Sequence, residues 1–323
     1  MMDPVVEHAR QTIEKGSKSF AVAARVFDET TRANAYMLYA WCRYCDDCID
    51  GQELGHGQQS PGTRQQLSML ANLRADTRAA LSGSPPDQPV YQGLARVFRD
   101  CEIDAAYAEA LLDGFEMDVD KRRYRTLDDL MLYCYRVAGV VGAMMASIMG
   151  VRDARVLARA VDLGLAFQLT NIARDVLEDA GDNRIYLPLE WLAEAGIAEN
   201  PTTFADHQAR LAPLAARLLS NAETYYESAK QGITHLPPRC AWAISAALLI
   251  YREIGILLLA AGDDAWAERR GASTARKMVL LTKGAGLATS RKLASKVILP
   301  RPATLWPLPA PLGRLLAEGE SGF

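Results

Sequence analysis

A polar stripe inside an otherwise apolar helical segment limits what this chain can fold into more than any other feature. Asn171, Asp175 and Asp179 are spaced four residues apart, so a helix places their oxygens on one face. The other faces of the segment carry apolar side chains, namely Leu163, Leu165, Phe167, Leu169, Ile172 and Val176. An all-oxygen stripe inside such a helix suits a hard cation such as Mg²⁺.

The sequence as a whole is typical of an all-α protein. Helix formers dominate, and alternating β-branched runs bounded by hairpin turns are missing. Hydrophobic residues make up 50% of the 323 positions, so the chain can bury a large core with room for a cavity. We expect one domain over 1–295 and a proline-rich tail over 296–323 that lies on the surface or is disordered. Helices are predicted near 5–15, 30–50, 64–82, 88–99, 104–119, 127–149, 153–178, 188–195, 203–231, 238–261 and 273–289.

Charge and hydropathy exclude several classes of protein. The net charge of −3 provides no basic field, so no nucleic-acid partner is expected. The N-terminus lacks the basic region and apolar stretch of a signal peptide. The most apolar segment, 243–261, is interrupted by Arg252 and Glu253, which argues against a membrane span. These features predict a cytoplasmic protein, and no obligate protein partner is evident.

A second group of acidic residues lies at the end of another apolar segment. Asp46, Asp47 and Asp50 share one helical face, and like charges at that spacing destabilise a helix unless a cation neutralises them. Taken alone, this patch is explained equally well as an exposed helix end that runs into the loop at 51–62.

Each acidic patch also carries an arginine, Arg43 in the first and Arg174 in the second. The arginine fork matches phosphate oxygens, and Mg²⁺ bridges phosphate to carboxylate, so the combination predicts a Mg²⁺–diphosphate site. Intrahelical ion pairs are the alternative explanation for the arginines. The four histidines form no paired-ligand spacing, which argues against zinc.

Cys42, Cys45 and Cys48 form a C-x-x-C-x-x-C pattern inside the first patch. An iron–sulfur cluster needs a fourth thiolate, and no C-x₃-C-P sequence follows. We therefore interpret these cysteines as small apolar residues on a packed helix.

Several motifs together resemble the squalene/phytoene synthase family. The segments YAWCRYCDDCID (39–50) and FQLTNIARDVLEDAGDNRIYLP (167–188) resemble its paired aspartate-rich motifs. Shorter matches follow the family order, namely GSKSF (16–20), GFEMDV (114–119), YCYRVAGVVG (133–142) and YREIG (251–255). The resemblance covers about residues 10–295 and is strongest to the bacterial, phytoene-forming branch of carotenoid gene clusters.

The resemblance implies an all-α isoprenoid-synthase bundle around a central apolar cavity. It also implies a reaction in which two geranylgeranyl diphosphates join head to head, through a cyclopropyl diphosphate, to give phytoene. Mg²⁺ would be the cofactor, with Mn²⁺ able to substitute, and NADPH would not be needed.

The resemblance also assigns roles to individual residues. It gives Asp46, Asp50, Asp175, Asp179 and Tyr251 as catalytic residues. The metal ligands would be Asp46, Asp50, Gln168, Asn171, Asp175 and Asp179. Diphosphate would contact Ser17, Lys18, Ser19, Tyr39, Arg43, Arg174 and Lys277.

An allylic cation must be kept from water, so an apolar tunnel is expected beside these groups. The segment 127–149 fits, because its small residues leave space and its larger apolar side chains can line a wall. Its proposed tunnel residues are Tyr133, Val137, Val140 and Met144. Ordinary helix packing is the alternative explanation of the same pattern.

Four other functions compete with phytoene synthesis. A dehydrosqualene or squalene synthase would act on farnesyl diphosphate, and the squalene enzyme would add a reduction by NADPH. A terpene cyclase shares the metal chemistry, and a non-enzymatic helical scaffold would tolerate changes in the acidic patches. Because the substrate is very apolar, we also expect peripheral contact with membrane lipid through the basic amphipathic segment 275–296. The alternative explanation of this segment, equally well supported, is a solvated terminal helix.

Overall fold

The computed structural model describes residues 3–16, 24–51, 62–292 and 297–320, without the side chains of 290–292 and 317–320. No strand occurs in this part of the chain, so the prediction of an all-α protein is confirmed. The helices are α1 (Pro4–Gly16), α2 (Glu29–Asp50), α3 (Thr63–Leu81), α4 (Pro89–Asp100), α5 (Ala105–Val119), α6 (Leu127–Cys134), α7 (Val140–Ile148), α8 (Ala154–Gly181), α9 (Leu189–Glu194), α10 (Gln208–Ile233), α11 (Pro238–Ala261), α12 (Thr274–Lys292) and α13 (Leu312–Glu320). Short 3₁₀ turns span Pro201–His207 and Gly262–Asp264.

The described residues group into two compact units. The first consists of Met1–Asp120 with Met144–Val151, and the second of Lys121–Ala143 with Arg152–Phe323. The expected single domain over 1–295 stays a prediction. The tail, expected on the surface or disordered, groups with the second unit, and its side chains Leu305, Leu308 and Leu312 are buried.

The first unit packs α1, α2 and α4 against one another. Gly93 lies at the point where they meet, because a Cβ built there would be 3.2 Å from the Met37 side chain and 3.4 Å from Val5. Trp41 and Tyr91 are completely buried in this core. The side chain of Asp28 caps the N-terminus of α2 by accepting a hydrogen bond from the backbone N–H of Thr31. The helix is thereby fixed at its start, and its acidic end follows 22 residues later.

A π-helical turn, Tyr135–Gly139, interrupts the segment that the sequence predicted as one helix over 127–149. It is the place where the chain meets the backbone of α8. A Cβ on Gly164 would lie 2.3 Å from the carbonyl oxygen of Ala138, and one on Gly142 would lie 2.2 Å from that of Ala160. Side-chain periodicity carries no signal for such a turn, since it adds one residue to a turn without changing the apolar character of the segment.

Among the described residues, three helical segments are long and apolar enough to cross a membrane by length and composition alone, namely Leu127–Ile148, Ala154–Gly181 and Pro238–Asp264. Of their most apolar windows, 61%, 78% and 44% respectively is buried inside the protein. The third is therefore the least covered by the protein itself, and Ile256 and Leu259 on it are about half exposed.

The contact between α8 and the π-turn can be tested with Gly164→Ala. Since the new Cβ would meet backbone rather than a flexible side chain, we expect the free energy of unfolding to fall by about 1–3 kcal/mol. Urea denaturation measures it. Gly181→Ala on the same helix is the control, because its Cβ would meet nothing within 4 Å. Equal stability of the two variants would contradict the close approach.

Candidate active site

The first acidic patch occupies the last turn of α2. The helix ends at Gly51, whose left-handed backbone (φ 65°) lets its N–H bond the carbonyl of Asp47. Arg43 pairs with both neighbouring acids, through Nη1 to Asp46 at 3.0 Å and Nε to Asp47 at 3.0 Å. One arginine therefore forms ion pairs with two carboxylates, and Asp50 lies one helical turn after Asp46.

The pKa of Asp46 is raised from 3.8 to about 6, first by burial and then by the charge of Asp50. Asp118 in α5 adds to the same effect. Asp118 belongs to the GFEMDV motif, but sequence reasoning gave it no role because its distance along the chain hides its closeness to Asp46. The patch has an excess of negative charge that a cation would relieve.

Tyr39 connects the first patch to the end of α1. A Cβ on Gly16 would lie 2.7 Å from the Tyr39 hydroxyl oxygen, so only glycine allows this approach. Burial raises the pKa of Tyr39, and Arg43, Asp47 and Asp46 all influence it. Ser17, Lys18 and Ser19 follow Gly16 directly, but they lie outside the described residues.

The second acidic patch lies on the C-terminal half of α8, where the helix is not regular. Asp175 has non-helical dihedral angles (φ −102°, ψ 15°), so α8 bends in the middle of the stripe that the sequence predicted. Arg174 forms a fork with Asp175, from Nε to Oδ1 at 2.7 Å and from Nη2 to Oδ2 at 2.5 Å. The charge of this carboxylate is therefore already matched by its neighbour in sequence.

Asn171 offers an oxygen that the protein does not use. Its Oδ1 is buried and has no hydrogen-bond partner among the described residues, while its Nδ2 donates to Gln168 Oε1 at 3.5 Å. A buried amide oxygen without a donor costs free energy, and a hard cation is the kind of ligand that would satisfy it. The oxygen donors of Asn171 and Gln168, with the nearby carboxylates, fit Mg²⁺.

The described residues nevertheless contain no group of three or more His, Cys, Asp or Glu side chains arranged to hold a metal ion. Asp46 and Asp50 belong to the first unit, and Asn171, Asp175 and Asp179 to the second. The predicted ligand set stays a prediction, as does the choice of metal.

Tyr251 lies beside the second patch. Its ring stacks on Phe167 with 4.2 Å between centroids. Burial raises its pKa, and the charges of Arg174 and Asp175 act on it too. By contrast, the side chain of Lys277, near the start of α12, has no hydrogen bond or ion pair within the described part of the chain, so nothing places it at the site.

Arg269 is a residue of the second patch that sequence reasoning missed. Its Nη1 lies 2.7 and 2.8 Å from the two oxygens of Glu178, and its Nη2 lies 3.5 Å from Asp175. Its ion pair with Arg269 gives Glu178 a structural role, which the motif left unassigned. Since the two are 91 residues apart, no spacing rule could have revealed it.

Three tyrosines form a buried cluster in the second unit. Tyr133 stacks on Tyr186 with centroids 4.9 Å apart and donates its hydroxyl to that of Tyr186 at 3.2 Å, and Tyr124 lies 5.4 Å from Tyr133. Tyr186 also shares a cavity of about 10 Å³ with Asp179, which joins the cluster to the second patch.

The other tunnel residues differ in exposure. Val140 and Met144 are completely buried, whereas Val137 is half-buried. Their assignment to a tunnel stays a prediction.

The cysteines of the first patch are free thiols. Burial raises the pKa of Cys42 to about 12 and that of Cys45 well above its usual value. Both groups stay protonated at neutral pH, as expected of residues that fill space rather than bind a cluster.

Comparison with known proteins identifies relatives along nearly the whole chain. Residues 13–278 match the family model described as squalene/phytoene synthase. A phytoene synthase from Pseudescherichia vulneris is 48% identical over 95% of this chain and 98% of its own length. A 15-cis-phytoene synthase from Pantoea ananas is 45% identical over 94% and 98%.

A solved structure supports the same relationship. The crystal structure of a dehydrosqualene synthase in complex with ligand superposes with a TM-score of 0.77 at 30% identity, covering 88% of this chain and 97% of that one. The resemblance seen in the sequence motifs, and the isoprenoid-synthase fold that it implied, are confirmed.

The raised pKa of Asp46 predicts that the free energy of unfolding of the metal-free protein depends on pH. Its pKa is about 6 in the folded protein and 3.8 ordinarily, so the free energy of unfolding falls as the pH rises between these two values. Above about pH 6 the whole decrease is present. Asp46→Asn should therefore stabilise the protein at pH 8 by about 1 kcal/mol, discounted because the side chain is 40% exposed. Urea unfolding at pH 8 and pH 5 without divalent metal measures this. Asp206→Asn, at an exposed site, is the control. The same gain at both values would contradict the assignment.

Proposed function

Because this chain belongs to the squalene/phytoene synthase family, we propose that it joins two geranylgeranyl diphosphates head to head, through a cyclopropyl diphosphate, to give phytoene with release of diphosphate. The observation that carries the proposal is the 45–48% identity, over almost the full chain, to enzymes named phytoene synthase. The chain is thus an enzyme of the prenyltransferase type, and the product places it in carotenoid biosynthesis.

The chemistry of the second patch suits a diphosphate leaving group. Arg174 is partly buried, with a side chain only 16% exposed, and its fork is turned to an acid rather than to water. A guanidinium in such surroundings interacts more strongly with a phosphate than an exposed one does. Arg43 supplies the same group in the first patch.

We propose Mg²⁺ as the cofactor, with Asp46, Asp50, Asn171, Asp175 and Asp179 as its ligands and Gln168 in support. Mn²⁺ would substitute. When bound, the metal supplies a Lewis acid that stabilises the charge on departing diphosphate. The unused oxygen of Asn171 supports this assignment. NADPH has no role in a coupling that ends without reduction.

The protein's own residues have two tasks in this scheme. Arg43 and Arg174 bind and orient diphosphate, so that the charge that develops on it is stabilised as the C–O bond breaks. The buried rings around Tyr133 and the stack of Tyr251 on Phe167 exclude water, which an allylic cation requires. Aromatic faces also attract a cation, which favours such rings beside the reacting carbons.

A shorter substrate is the second candidate. The superposable crystal structure is of a dehydrosqualene synthase, 30% identical. If this chain shared that chemistry, it would couple two farnesyl diphosphates to a C30 product. The greater identity to phytoene synthases favours the C20 substrate.

Product analysis tests the reaction. Incubation with geranylgeranyl diphosphate and Mg²⁺, without NADPH, should give a C40 hydrocarbon with a central conjugated triene. A C30 product from farnesyl diphosphate in preference, or a requirement for NADPH, would exclude phytoene synthesis.

Single substitutions test the site. Asp46→Ala and Asp175→Ala should each lower kcat by at least about 100-fold, because each removes charge that holds the metal and diphosphate. Steady-state kinetics at saturating Mg²⁺ measure the loss. Asp206→Ala, an exposed acid on the 3₁₀ turn, is the matched control and should keep full activity. Activity that survives both site substitutions would refute the mechanism.

We also propose peripheral contact with membrane lipid, through the end of α11 and the start of α12. Four apolar side chains there are about half exposed, namely Ile256, Leu259, Met278 and Val279. Lys277 and the exposed Lys283 lie on the same helix as the last two. Apolar side chains beside lysines suit an anionic lipid surface, and a very apolar product needs such an acceptor. The cytoplasmic location predicted from the sequence is part of this proposal.

Liposome flotation tests the contact. The protein should float with vesicles that contain anionic phospholipid, and Leu259→Glu or Met278→Glu should reduce the bound fraction several-fold, because a carboxylate opposes both burial in lipid and the surface charge. Leu67→Glu changes another partly exposed leucine, in the first unit, which is 43% exposed against 52% for Leu259, and it should leave flotation intact. No flotation of the unmodified protein would remove the proposal.

A further inference from the structure

The C-terminal tail holds a carboxylate that is completely buried in α8. Arg301 donates to both oxygens of Asp162, from Nε at 3.0 and 3.1 Å and from Nη2 at 2.8 Å. The Asp162 side chain has no exposed surface, and that of Arg301 is 11% exposed. Breaking a buried ion pair with this fork geometry strongly destabilises the fold, because the carboxylate is then left without its main counter-charge.

A second arginine binds the tail backbone from the α8 side. Arg159 donates through Nη2 to the carbonyls of Leu299 at 2.7 Å and Pro300 at 2.9 Å, and through Nη1 to Ser228 Oγ at 2.5 Å. Ser228, on α10, in turn donates to Asp162. The network joins α8, α10 and the tail, and each charged member has a partner.

Apolar contacts continue the attachment. The Trp306 ring lies 6.2 Å from that of Tyr135, the first residue of the π-turn, and the Trp306 backbone N–H donates to the Tyr225 hydroxyl at 3.2 Å. Arg301 Nη1 also donates to the Trp306 carbonyl at 2.9 Å, which fixes the bend between the two anchors. We call residues 297–312 the strap.

The strap and the π-turn hold the same stretch of α8. On the π-turn side, the Ala138 carbonyl lies against Gly164, and a Cβ on Gly139 would be 3.0 Å from Val161. On the other side, Arg301 and the backbone at 299–300 hold Asp162 and Arg159. Asn171 is nine residues further along this helix, about 14 Å at 1.5 Å per residue.

We infer that Arg301 and Trp306 are positioning residues, which hold the first half of α8 against the π-turn and so fix Asn171–Asp179 on its second half relative to Tyr133. The family match ends at residue 278, so the strap lies outside the pattern that identifies the family. The catalytic consequence rests on the proposed function, whereas the mechanical one does not.

Hydrogen exchange tests the mechanical part in the full-length protein. Arg301→Gln should speed amide exchange about tenfold or more in peptides that cover Leu169–Asp179, because the helix loses its upstream anchor. Arg314→Gln changes an exposed arginine of the same tail and is the control. Faster exchange confined to the strap itself, or none at all, would overturn the inference. Should Arg301→Gln fail to fold, Trp306→Phe, which keeps an aromatic ring, gives the same comparison in milder form.

The catalytic part is tested by a ratio that does not depend on how much protein is folded. If the site residues are misplaced, water reaches the carbocation and gives prenyl alcohol instead of hydrocarbon. The ratio of prenyl alcohol to hydrocarbon should therefore rise several-fold in Arg301→Gln and return partly toward the original value in Arg301→Lys. It should stay unchanged in Arg314→Gln. An unchanged ratio with a lowered melting temperature would mean that the strap only stabilises the fold, and it would refute the positioning role.

If the unmodified protein forms no hydrocarbon from geranylgeranyl diphosphate, the proposed function fails. The exchange experiment still decides the strap in that case, since it needs no substrate. The two proposals therefore fail in distinguishable ways.

Discussion

Buried negative charge on α8 is the constraint on which the second unit depends. An apolar helix that carries carboxylates cannot enter a core unless each charge meets a partner, because desolvation otherwise outweighs the apolar gain. The chain meets this need in two ways. Asp162 is enclosed by Arg301, Ser228 and Arg159 and has no exposed surface. Asp175 is paired with Arg174 but keeps 16% of its side chain exposed, and Asn171 nearby retains an unused oxygen. The first arrangement is closed, and the second can accept a ligand.

The two acidic patches differ in how their charge is balanced. In the first, Arg43 is shared between two acids, and a third and fourth carboxylate lie close enough to raise the pKa of Asp46. In the second, Arg174 and Arg269 supply two cations to Asp175 and Glu178. A cation bound at the first patch would relieve repulsion among its carboxylates. The second patch offers neutral oxygens and guanidinium groups, which suit a phosphate ligand.

Local patterns in the sequence predicted much of the fold, and long-range pairs account for most of what they missed. The predicted helix at 238–261 matches α11 at both ends, because Pro238 begins it and Gly262 follows it. Arg43 and Arg174 were found from their spacing to the acids, since both contacts are made within one helix. Arg269 and Arg301 reach acids 91 and 139 residues away, which no periodicity encodes. The same holds for Asp118, whose charge helps to raise the pKa of Asp46 on another helix.

The bend at Asp175 explains a contact that a regular helix would not make. Neighbouring side chains on an α-helix point about 100° apart, so a two-bond fork between Arg174 and Asp175 is not the contact expected on an undistorted α8. The non-helical dihedral angles of Asp175 turn its carboxylate toward Arg174, and the stripe expected from the i, i+4, i+8 spacing is broken at its centre. The bend places a carboxylate and a guanidinium together. This arrangement suits the proposed ligand, because a diphosphate with its cation needs both groups on the same side. The irregularity that sequence periodicity could not predict is thus the local feature that best connects the fold of α8 with its chemistry.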